Sequence, residues 1–179
     1  MSRLPAPIRW ISERLEAPGG LHALTGPRGV CTWALEAIAP WLADAATVYW
    51  IDAANTFDAP ALAKAAQRQR LDPRAVLPKI QIARTFNAFQ LTSLVVGRLP
   101  GMPAGPAVLA DPLAPFYDDD LPLEDARRAF TRWRDALAAT ARPVLALLVE
   151  RRAPPGRGDF APRLLAGARS VARASAGSH

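Results

Sequence analysis

Short apolar runs alternate with stretches of helical periodicity along most of this chain, and that alternation narrows the possible folds more than any other feature. Residues 21–25, 47–52, 80–83, 107–111 and 144–149 read as strands. The second carries Thr-Val-Tyr-Trp-Ile-Asp, and the last two are uninterrupted apolar runs of the kind buried on both faces. Residues 32–42, 59–69, 88–98 and 123–139 read as helices, with Pro60 in a first turn where its missing N–H is not needed and Pro143 as a stop. Strand alternating with helix predicts an α/β protein with a mainly parallel sheet flanked by helices in three layers. Ligands of such sheets bind beyond the carboxyl ends of the strands. The turns at Thr25, Asp52, Asn87, Asp111 and Glu150 are therefore where function is expected.

A chain of 179 residues, half of them hydrophobic, buries a core without staples. Eighteen prolines and eleven glycines fall mostly between the periodic segments and act as punctuation. One cysteine, Cys31, excludes an internal disulfide and a cysteine-based zinc site, and His22 and His179 are too few for a histidine one. No apolar run has membrane-spanning length, and residues 1–10 carry no secretory apolar core, so a soluble cytoplasmic chain is expected. Charge is unevenly placed. Arg151, Arg152, Arg157, Arg163, Arg169 and Arg173 face a single acid, Asp159, within residues 151–179, so this segment carries nearly all of the chain's net +6. A basic tail on a near-neutral body is either an electrostatic handle for a polyanion or a solubilising terminus. Residues 151–162 read as loop and 163–174 as a short basic helix.

The first strand runs into Gly26-Pro27-Arg28-Gly29-Val30-Cys31-Thr32-Trp33 and then a helix, the setting of a phosphate-binding loop. Such a loop needs a second glycine, a lysine and a hydroxyl after four intervening residues. Cys31, Thr32 and Trp33 stand at those places. Gly26, Arg28, Gly29 and Thr32, with Asp111 opposite, are the candidate residues of a vestigial nucleotide site. Helix N-terminal amides there still attract an anion, and the same position makes Cys31 a candidate for a lowered thiol pKa. Asp118-Asp119-Asp120 reads as a solvated loop, with a metal site as the alternative.

Several ordered blocks carry a resemblance. Ile51-Asp52-Ala53-Ala54-Asn55-Thr56-Phe57 resembles the Ile-Asp-Thr-Glu-Gly-Thr-Phe segment of RecA/RadA-type recombinases. Leu71-Asp72-Pro73 and Val76-Leu77-Pro78-Lys79-Ile80 follow at similar spacing. Ala83-Arg84-Thr85-Phe86-Asn87-Ala88-Phe89-Gln90-Leu91 is similar to the family's Ala-Arg-Ala-Tyr/Phe-Asn-x-x-His-Gln block, and Val108-Leu109-Ala110-Asp111 to its Walker B strand. The likeness covers roughly residues 18–150. It implies a RecA-like, P-loop NTPase-type core over 18–150, preceded by a helical segment at 1–17 and followed by a basic loop or tail at 151–179. The family's water-polarising glutamate corresponds to Ala54, which accepts no proton. With the lysine missing as well, both the charge-stabilising and the water-positioning parts of phosphoryl transfer are absent.

The resemblance therefore implies a non-catalytic pseudo-ATPase of DNA repair or recombination, without a cofactor. Its expected partners are DNA, bound without sequence preference through the six tail arginines, and a recombinase-type protein. Two alternatives stand beside it. One is an unorthodox ATPase using ATP and magnesium, with Arg28 in place of the lysine. The other is a structural module that self-associates into a homo-oligomer through Ile8, Trp10, Ile11 and Leu15.

Overall fold

The computed structural model describes residues 6–43 and 47–175. Residues 1–5 of the expected N-terminal segment and 176–179 of the expected tail, His179 included, lie outside the described residues. Six strands form one all-parallel sheet: β1 (Gly20–Gly26), β2 (Val48–Asp52), β3 (Ile80–Arg84), β4 (Ala107–Ala110), β5 (Pro143–Val149) and β6 (Ser170–Arg173). Their order across the sheet is β3-β2-β4-β5-β1-β6.

Helices cover both faces. On one side lie α1 (Ala6–Leu15), α2 (Val30–Ala43), α3 (Ala59–Arg68) and the single turn α4 (Pro73–Val76). On the other lie α5 (Ala88–Ser93), which continues through a π-helical turn to Arg98, then α6 (Leu123–Ala138) and α7 (Phe160–Ala166). This helix–sheet–helix sandwich is consistent with a RecA-like, P-loop type of fold. Alternate residues of each strand feed opposite cores: Trp50, Val108 and Leu147 enter one, and Tyr49, Ile51, Leu109 and Ala146 the other. Burial on both faces explains why these strands are unbroken apolar runs.

Two expectations fail at the ends of the chain. The apolar side of α1 does not wait for a neighbour: Ile8, Ile11 and Leu15 are buried in the chain's own core, and α1 packs on α2. Self-association through these three residues is thus closed, while Trp10, the fourth, is half-buried against the same core. Residues 163–174 are not one basic helix, and 151–175 is not a loose tail. Helix α7 stops at Ala166, and after Gly167 the chain extends as β6, which pairs in parallel with β1 from His22↔Ser170 to Thr25↔Arg173. The free edge of β1 overrides the weak helical pattern, because each paired residue satisfies backbone groups that an exposed helix end would leave to water.

Candidate functional site at the carboxyl edge of the sheet

Strand β1 sends its chain through α2 to one face, while its neighbour β5 sends its chain through α7 to the other. Their carboxyl ends therefore bound a crevice of the kind that holds ligands in open α/β sheets. The sequence candidates converge here. Gly26 ends β1, and α2 begins four residues later at Val30. The Val30 N–H closes a tight turn on the Pro27 carbonyl at 2.9 Å, and the Trp33 N–H donates to Gly29 at 3.0 Å. A Cβ on Gly26 would sit 3.3 Å from the Ala174 carbonyl, and one on Gly29 would meet the Trp33 ring at 3.8 Å. The Ala174 carbonyl, just past β6, thus approaches the turn closely at Gly26, while Trp33 makes only ordinary contact at Gly29. Arg28 and Thr32 are exposed at its rim.

Cys31 faces inward. It is buried, and its desolvation pushes the thiol up to about 12, with the Asp111 and Asp52 charges adding to the rise against a hydrogen bond from Thr56. The expected lowering at a helix start is reversed, because burial outweighs the helix N-terminus.

Two carboxylates end adjacent strands. Asp52 Oδ1 accepts from the Thr56 N–H at 2.8 Å and the Thr56 hydroxyl at 3.1 Å, and Oδ2 accepts from the Phe57 N–H at 3.0 Å. It braces the loop that carries Ala54. Asp111 is 3% exposed and holds a left-handed backbone, φ +51°. Its Oδ2 accepts from the Arg151 guanidinium, whereas Oδ1 has no partner. Burial raises its pKa above the ordinary 3.8, and Arg151 pulls against that rise without cancelling it. The place where a Walker B aspartate would face a cation is occupied by the chain's own arginine.

The six arginines expected to contact phosphates are mostly committed elsewhere. Arg151 holds Asp111. Arg157 is buried and donates to the Phe116 carbonyl at 2.6 Å and to the Leu121 carbonyl. That burial removes it from any phosphate contact and corrects its place among the candidates. Arg163 pairs with Asp159, reaches Thr131 and lies over the Phe130 ring. Arg173 pairs with Glu150 at 2.7 Å. Arg152 and Arg169 are exposed. Phe160 is fully buried and stacks on Phe130 at 4.6 Å, so it offers no face to a base. Asp118, Asp119 and Asp120 lie exposed, with Asp118 accepting from the Asp120 N–H, and no cluster of three metal-ligating groups occurs among the described residues. Asn87 caps α5 by accepting from the Gln90 N–H, and Gln90 reaches back to the Phe86 N–H.

Sequence reasoning missed the Asp111–Arg151 pair. The signal was available in the strand order: β4 and β5 are neighbours, so residues just past their ends meet. It also missed a groove of about 740 Å³ at the tips of β1, β5 and β6, bounded by α7 and the turn at Leu113–Tyr117. No helix among the described residues is long and apolar enough to cross a membrane. Comparison with known protein families finds no matching family model, and comparison with curated proteins finds no match either.

Proposed function

We propose that this chain is a non-catalytic RecA-like protein that acts by binding a macromolecular partner, a recombinase-type protein before DNA, in DNA repair or recombination. The observation that carries the non-catalytic part is the Asp111–Arg151 pair, which neutralises from within the carboxylate that a bound magnesium would need. The missing lysine in the Gly26–Trp33 turn and the alanine at position 54 support it independently. Without the loop lysine or a carboxylate at position 54, two of the groups that stabilise charge and position water in phosphoryl transfer are missing.

A protein partner is favoured because Arg157 is buried on backbone carbonyls and Arg151 holds the buried Asp111, which takes two of the six arginines away from phosphates. Non-specific DNA affinity needs cations free to displace counterions. Arg152 and Arg169 keep the DNA reading alive as a weaker second mode. Fluorescence anisotropy with labelled single- and double-stranded DNA over a salt series separates the two. Weak DNA binding with a shallow salt slope, together with retention of a recombinase in a pull-down, supports the protein-partner reading. Tight DNA binding with a steep slope and no recombinase retention overturns it.

A further inference from the structure

The sheet ends at β6, whose outer edge pairs with nothing among the described residues. Strand edges of this kind are templates for another extended chain, and proteins normally blunt or cover them. Here the edge is left open beside an apolar recess. Ala172 packs against the core on the α1 side, while Val171 and Arg173 face the opposite side. Val171 is 48% exposed there, beside the groove formed with Leu113, Tyr117, Leu148 and Leu165. Its volume, about 740 Å³, suits a few side chains of a bound segment.

Charge identifies the occupant. Arg169 stands exposed immediately before β6 and Arg173 at its end, so the edge is bracketed by cations. Glu150 is the acid at the rim and is held by Arg173. A second copy of the same edge would set arginine against arginine, which opposes homotypic pairing. DNA would gain nothing from the leucine and valine lining, and Tyr117 is stacked on Phe160 instead of being open to a base. An extended acidic peptide with apolar residues at its centre meets every feature: main-chain hydrogen bonds to β6, alternate apolar side chains into the groove, and carboxylates at Arg169 and Arg173.

We infer that the free edge of β6 and its adjoining groove form a docking site for an acidic, strand-forming peptide segment of a partner protein. The inference deepens the partner-binding reading above and rests on it.

The test uses the full chain and the labelled peptide fluorescein-Gly-Glu-Glu-Val-Leu-Val-Glu-Glu-amide, with anisotropy for affinity and amide NMR shifts for location. Saturable binding is expected, with shifts concentrated in residues 169–174 and a far weaker response to the peptide in which every Glu is Lys. Val171→Glu and, separately, Arg169→Glu should each weaken binding by about tenfold or more. Phe86→Ala, at the far edge of the sheet, should leave it unchanged. Absence of binding, equal binding of the lysine peptide, or wild-type affinity in both variants overturns the site. So does displacement of the peptide by a single-stranded oligonucleotide at the same amides, or self-association of the chain that Val171→Glu abolishes. Circular dichroism checks that Val171→Glu folds, and the exposed Arg169→Glu keeps the test valid if it does not. Titrating the same samples with magnesium-ATP separates the two claims. Peptide failure without nucleotide binding removes only the docking site, whereas nucleotide binding removes the non-catalytic reading whatever the peptide does.

Discussion

Asp52 and Asp111 end neighbouring parallel strands, and both are almost fully buried, yet they are opposites in how their charge is met. Asp52 has three donors, all from the loop it braces. Asp111 has one arginine, one orphaned oxygen and a left-handed backbone. A carboxylate satisfied by its own loop is a structural part. A carboxylate whose charge is met mainly by one distant arginine depends on that arginine for its burial.

Replacing each acid gives the most direct ways to break that contrast. Asp52→Ala removes three acceptor interactions from the half-buried donors of Thr56 and Phe57. Urea unfolding should show a loss of about 3 kcal/mol. Arg151→Ala leaves Asp111 buried with no counterion and should cost about 2 kcal/mol at neutral pH, below the usual figure for a buried pair because the guanidinium is partly exposed. Burial holds the Asp111 pKa above its unfolded value, so the folded state keeps a proton to higher pH than the unfolded chain. Its contribution therefore favours folding at low pH and is withdrawn as pH rises through the folded pKa. Removing Arg151 raises that pKa further, so the deficit of Arg151→Ala should narrow as the pH is lowered towards 4.

Asp111→Asn removes a desolvated charge while keeping a residue that tolerates positive φ. Its stability should stay within about 1 kcal/mol of wild type at neutral pH. A loss as large as that of Asp52→Ala would erase the distinction between the two carboxylates. The smallest effect concerns His22, whose ring nitrogen lies 2.8 Å from the Ser170 hydroxyl and joins β1 to β6. Burial lowers its pKa below 6.5, so its neutral form is favoured in the fold. The stability tied to it is complete above that value and declines as pH falls below it. His22→Gln should flatten this part of the pH–stability curve.

Five strands and four helices were legible because their patterns are local: β-branched runs, a proline in a first turn, a proline stop. Asp52 finds its donors locally, at Thr56 and Phe57 four and five residues on. The basic segment was misread because charge composition says nothing about partners forty residues away. Arg157 finds its acceptors at Phe116 and Leu121, and Arg151 finds Asp111, only once β4 and β5 lie side by side. Strand β6 was hidden for the same reason. Arg-Ser-Val-Ala-Arg is too short and too polar to read as a strand, and it becomes one by pairing with β1. Cys31 shows depth outweighing local position: it stands at a helix start, yet burial in the core raises its thiol pKa.

Isothermal titration with ATP and magnesium tests the central claim most directly. A turn without its lysine, with Asp111 held by Arg151, predicts no saturable heat and no change when magnesium is omitted. Magnesium-dependent, saturable binding that disappears in Asp111→Ala would show that Arg151 yields its place to a cation, and it would contradict the account.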